Sequence, residues 1–166
     1  MAETEDLRWG EDEENEDSMA NRYLLFNVAS EEYGIGIENV IEIVGLQKIT
    51  EVPEMPHHVK GVINLRGQVI PVLDVRLRFG IEPMEYGDRT CVIVVQLGEI
   101  QAGMIVDQVS EVRNIAEESV SAPPSIQSSM ASEYIDGLAR IEESVIILLD
   151  VMKLLGCQDL KAMAGI

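Results

Sequence analysis

A chain of 166 residues is long enough to bury a real core and, by the usual prior, forms one domain. Its formal net charge of −18 repels nucleic acid and anionic lipid, so neither is an expected partner. No apolar run approaches the ~18 residues of a membrane span, and the acidic start has no basic segment of the kind that opens a signal peptide. The two lone cysteines, Cys91 and Cys157, have no metal or redox spacing, so a reduced, cytoplasmic protein without membrane insertion is expected.

Residues 1–17 hold nine acidic residues against Arg8, so about −8 of the charge lies there and about −10 on the rest. Such a run reads as a disordered, solvated tail over 1–18, with Leu7 and Trp9 its large apolar residues. A single domain is expected over 19–157, followed by a short tail at 158–166. Aromatics make up 4%, so the core must be built of Val, Ile and Leu.

Tyr23 to Val28, a turn at Ser30 to Glu32, and Tyr33 to Ile37 predict a β-hairpin. Val40 to Val44 reads as a strand with Glu42 opposite Ile41 and Ile43. The same residues also fit a short helical turn aligning Ile37, Val40, Ile41 and Val44. Gly45 closes the segment. Ile49 to Met55 is extended and broken at Pro53, and Pro56 to Lys60 predicts one helical turn with proline at its start.

Gly61 to Gly80 is the most informative stretch. Two apolar runs flank Arg66, Gly67 and Gln68, which read as a hairpin tip. Pro71 cannot donate to a ladder and predicts an edge, a bulge or an N–H without a neighbour. Asp74 ends the strand and caps a short helical turn that Gly80 terminates. Arg66 is anomalous, a long cation at a turn where packing does not require one.

The chain repeats itself. Shifted by 69 residues, Phe26, Gly34, Glu38, Val40, Glu42 and Ile43 fall on Val95, Gly103, Asp107, Val109, Glu111 and Val112. Shifted by 76, Gly61, Leu65, Asp74 and Phe79 fall on Gly137, Ile141, Asp150 and Leu155. Two copies of one β unit follow, with extra length near Ala116 to Glu133 that reads as a long loop. About five short strands per unit suit small closed barrels. The first is expected around residues 36–88 and the second around 90–150, with strand exchange allowed. A groove where the units meet is the natural binding place.

Catalytic chemistry is sparse. Adjacent His57 and His58 make a poor ligand pair and read as loop histidines. Asp74 and Asp150 are repeat-equivalent and read as caps. Cys91 reads as a small core residue, the serines of 125–132 lack a base partner, and Met104, Met130 and Met152 read as fillers. A small-ligand binder or carboxylate-based enzyme using Asp74, Asp150 or His57 is the alternative to a non-catalytic interaction protein.

Glu32-Tyr33-Gly34-Ile35, Val40 to Ile43, the Gly61–Gly67 and Val69–Asp74 segments, and Ser132-Glu133-Tyr134 resemble the CheW family, the coupling proteins of bacterial chemotaxis. The resemblance runs from about Tyr23 to Leu155. It implies an all-β fold of two SH3-like five-stranded barrels related by a pseudo-two-fold axis, with a few short helices. It also implies a non-catalytic adaptor, without cofactor or metal, holding the histidine kinase CheA, through its regulatory domain, beside the cytoplasmic tip of a chemoreceptor. By the same resemblance Arg66 is a receptor-coupling residue paired with Glu42. Ile37, Val40 and Ile43 from one unit and Val109 from the other would line the receptor groove, and Ile49 would lie on a separate kinase-binding face. The position matching Arg66 in the second unit is Glu142, so only one unit carries the feature.

Overall fold

A computed structural model of the chain describes residues 21–122 and 133–155. The acidic tail, the serine-rich loop, Met130, Cys157 and the C-terminal tail lie outside these residues. Among the described residues the chain is all-β with two short α-helices, in two sheets. In chain order the strands are β1 (Arg22–Val28), β2 (Glu31–Gly36), β3 (Val40–Gly45), β4 (Val59–Leu65), β5 (Gln68–Asp74), β6 (Cys91–Leu97), β7 (Ile100–Val106), β8 (Gln108–Asn114), β9 (Val120–Ser121), β10 (Ile135–Ile141) and β11 (Ser144–Leu149). Helix α1 (Val75–Arg78) follows β5, and α2 (Val151–Leu155) follows β11.

One sheet has the order β3-β6-β7-β5-β4, the other β8-β1-β2-β11-β10-β9. Residues 91–106 therefore pair with β3 to β5, while β1 and β2 pair with strands from the C-terminal half. Each sheet holds one parallel pair, β5 with β7 and β11 with β2, and the rest are antiparallel. The second sheet gains a sixth strand because Val120 and Ser121 pair with Ala139 and Leu138. Its counterpart in the first sheet is the single Thr50–Val62 bridge.

Local chemistry explains the turns. The β4–β5 hairpin closes in two residues, Arg66 (φ 53°) and Gly67 (φ 86°), since Leu65 already pairs with Gln68. Positive φ at both positions is the type I′ turn that suits the twist of a hairpin. Asp74 accepts from the Arg76 N–H (2.9 Å) and so caps α1, and Gly80 (φ 75°) follows the helix end. Pro71 pairs with Val62, while the β5–β7 pairing begins only at Val72, so the missing N–H leaves no gap there. The helical turn expected from Pro56 to Lys60 is instead a tight turn. The Val59 N–H bonds the Pro56 carbonyl at 3.0 Å and β4 begins at once, because β-branched Val59 pairs with Leu73. The two readings of Ile37 to Val44 both apply in part: Ile37–Asn39 forms a 3₁₀ turn and Val40 starts the strand.

The repeat holds at the level of registry. Val40, Glu42 and Ile43 pair with Val95, Val94 and Ile93, and Val109, Glu111 and Val112 pair with Phe26, Leu25 and Leu24. Both ladders contain the same irregularity, which leaves Ile41 and Ser110 as the extra residues. Asp74 and Asp150 each donate an N–H to residues 58 and 134, at 2.9 and 2.8 Å. Gly61 is required by contact: a Cβ there would stand 2.2 Å from the Thr50 carbonyl oxygen.

The largest core lies between the sheets and joins Leu24, Phe26 and Ile35 to Leu73, Ile93, Val95 and Met104. Each sheet also encloses its own cluster: Ile63, Ile70, Val72, Val92 and Val94 in the first, and Leu25, Ala139, Ile146 and Leu148 in the second. Each fully buried side chain of this size contributes roughly 1.5–3 kcal/mol.

Candidate interaction surface

Arg66 stands at the β4–β5 tip and Glu42 on β3, strands at opposite ends of the first sheet's order. The sheet curls until these ends meet, and an Arg66 Nη2–Glu42 Oε2 ion pair closes the seam. Glu42 shares a face with Val94, a residue of the first sheet's own core, so it stands at the rim of that curl. The arginine side chain remains 68% exposed and the glutamate 27%, which leaves the guanidinium open to a partner.

The extra residue at Ile41 changes the face of β3. Strict alternation puts Val40 with Glu42 and opposite Ile43. The observed registry instead sets Val40 and Ile43 opposite Val95 and Ile93, both members of the inter-sheet core. Val40 packs against that core, whereas Ile43 is 43% exposed. Ile37 is half-buried, and its carbonyl accepts the Val40 N–H. On β8, Val109 and Val112 pack against the same core in the equivalent positions. Val112 is the repeat copy of Ile43. Ile49 lies elsewhere: it is half-buried beside Val44, Leu46 and Tyr86, against the first sheet's own core.

The sheets are also pinned to each other. Asp107 is the one residue between β7 and β8, at the crossing from one sheet to the other. Its carboxylate accepts from Arg76 Nε (3.0 Å) and Nη2 (2.8 Å), and from the Ala29 N–H at the β1–β2 turn (2.9 Å). Burial pushes the Asp107 pKa up. The Arg76 hydrogen bonds, the Ala29 N–H and the Arg76 charge outweigh it and hold the carboxyl below its ordinary value. The same hydrogen bond raises the Arg76 guanidinium.

Arg78 makes a second bridge, donating to the Leu154 carbonyl of α2 at 2.7 Å and lying over the Tyr134 ring. His58, expected as a loop histidine, is half-buried beside Arg78, while His57 is exposed. Asp74 and Asp150 do act as caps. Asp74 also accepts the Tyr86 hydroxyl (2.7 Å), whose pKa burial and the Asp74 bond raise, and Asp150 accepts the Lys153 N–H (3.2 Å). Cys91 is half-buried, and burial raises its thiol pKa. Among the described residues no three His, Cys, Asp or Glu side chains converge on a metal-binding geometry. No described helix is long and apolar enough to cross a membrane.

Two pseudo-equivalent sheets packed on a shared core, with a largely exposed cation at the seam of one, make a small all-β module. The CheW-like domain family model matches residues 22–158. The chain is 35% identical over 144 residues to the chemotaxis protein CheW of Klebsiella aerogenes, covering 87% of each chain. It is 32% identical over 147 residues to that of Treponema pallidum, covering 86% of each. The crystal structure of the scaffolding protein TtCheW from Thermoanaerobacter tengcongensis superposes with a TM-score of 0.76 at 35% identity, covering 82% of this chain and 93% of that one. The chain therefore belongs to the CheW family. It is a non-catalytic coupling adaptor of chemotaxis.

Proposed function

We propose that this chain bridges a chemoreceptor's cytoplasmic tip and the regulatory domain of the histidine kinase CheA, in the cytoplasm at the membrane-associated receptor arrays. The carrying observation is the Arg66–Glu42 pair at the seam of the first sheet, with the arginine still exposed. Ile37, Val40, Ile43 and Val109, with Val112, offer the apolar strip on which a receptor helix lies. Ile43, 43% exposed, is accessible for such a contact. The kinase docks on the Ile49 side, which packs on a different core from the receptor strip.

The mechanism is geometric. Receptor contact at one face changes kinase affinity or activity at the other only if the body between them transmits displacement. The Arg76–Asp107–Ala29 and Arg78–Leu154 bridges supply that stiffness. The test is phosphotransfer with purified kinase and receptor, with and without this chain. Receptor-dependent control must appear on its addition, and the chain must turn over nothing itself. Unchanged kinase output across a full titration would sink the reading.

A further inference from the structure

We propose that Asn64 is a positioning residue for Arg66: it holds the peptide of the turn that aims the guanidinium at Glu42. The inference rests on the reading of Arg66 as the coupling residue. Asn64 is the next-to-last residue of β4 and its side chain is exposed, so no core packing accounts for it. Its Oδ1 accepts the Gly67 N–H at 2.9 Å.

That N–H belongs to the central peptide of the turn. Type I′ has positive φ at both central residues, and type II′ at the first alone. The two interconvert by rotating this one peptide, with the flanking ladder kept. The β1–β2 turn, Ala29 (φ 53°) and Ser30 (φ 71°), takes the first form too, so the captured Gly67 N–H reinforces that form and steadies the backbone on which the Arg66 side chain is mounted.

The second hairpin is an internal control. Ile141 pairs with Ser144 around Glu142 and Glu143, as Leu65 pairs with Gln68. Arg140 stands where Asn64 stands and Glu142 where Arg66 stands. Glu142 takes φ 57°, and Glu143 is not in the positive-φ region, the pattern of the other turn form. A hairpin at this place therefore closes without the brace. The brace occurs on the turn that presents the cation, where Arg66 is held at φ 53°, a conformation unfavourable for a residue with a Cβ.

The test uses the full chain with receptor and kinase, and reads the adaptor concentration for half-maximal receptor-dependent kinase control. Melting temperature and hydrogen exchange of the Gly67 amide are measured alongside. Asn64→Ala should raise that concentration about two- to tenfold, the span of one net hydrogen bond, and deprotect the Gly67 amide. Asn64→Asp, which keeps the acceptor oxygen, should restore both. In an Arg66→Ala background, Asn64→Ala should add nothing. An equal further loss in that background overturns the inference, because Asn64 then acts on its own. Wild-type behaviour of Asn64→Ala beside an impaired Arg66→Ala also overturns it and leaves the role of Arg66 standing. Wild-type behaviour of Arg66→Ala overturns the coupling reading itself. Should Asn64→Ala fail to fold, Asn64→Asp decides: a folded variant with a protected Gly67 amide and lost control overturns the proposal.

Discussion

Arg66 and Glu42 are 24 positions apart in sequence and meet where the two ends of one curled sheet come together. Because Arg66 is mostly exposed, the pair adds only ~0–1 kcal/mol to stability. Its effect falls on orientation. Arg66→Ala should leave thermal melting almost unchanged and impair receptor-dependent kinase control. Lysine lacks the planar fork, so Arg66→Lys should rescue only in part. The swap Arg66→Glu with Glu42→Arg should restore more control than either single change. A swap no better than the singles would rule out the pairing.

Ile43→Glu places a charge on the exposed part of the β3 strip. Ile43 is 43% exposed, so the fold should survive, while receptor binding in a pull-down should be lost. Val40→Glu should also abolish receptor binding but, because Val40 packs on the inter-sheet core, lower the melting temperature as well. Retained receptor binding by a folded Ile43→Glu variant would place the receptor elsewhere.

Ile49→Asp should weaken kinase capture while receptor capture persists. Half-buried Ile49 packs on the first sheet's core, so the carboxylate should also cost about 1–3 kcal/mol of stability. Binding is therefore compared well below the variant's melting temperature. Equal loss of both partners in a folded variant would mean one shared site.

Asp107→Asn removes the charge that Arg76 and the Ala29 N–H meet. Hydrogen bonds to charged groups contribute about 1.5–3 kcal/mol, so a loss of that order is expected at neutral pH. The folded carboxyl lies below its ordinary value, so its contribution is complete above the unfolded pKa of ~3.9 and fades as pH falls through the folded value. Denaturant titration near pH 7 and again in acid below about pH 3 should show the gap between wild type and variant shrinking. A constant gap would assign the effect to packing.

What the sequence disclosed was local or repeated. The Arg66–Gly67 turn, the Asp74 cap and the two offsets of the repeat are written in residue type and spacing, because glycine, proline and aspartate act on neighbouring backbone. The extra residue at Ile41 left no such mark. It appears only when β3 is laid against β6, and it moves Val40 and Ile43 to one face. Arg76 and Asp107 are long-range partners joined by the curl of the chain, and neither stands out in its own segment. The Asn64 brace spans three residues and was within reach, but asparagine before a turn is too common to single out. Arg66 and Glu42 were linked by family resemblance, and nothing in their spacing requires them to meet.

The distribution of strands between the sheets sets an order in time. β3 to β7 form an uninterrupted run that ends at Val106, so that sheet can be complete while the ribosome is still adding the rest. The other sheet must wait, because β2 has no neighbour on its far side until Ile147 and Leu148 arrive beside Tyr33 and Gly34. Distant pairings of this kind close slowly. During synthesis the β1–β2 hairpin is thus an unpaired edge next to an already folded body. A chain stalled once Val106 has cleared the ribosome, but before Ile147 and Leu148 have, should resist protease over residues 40–106 and be cut within β1 and β2.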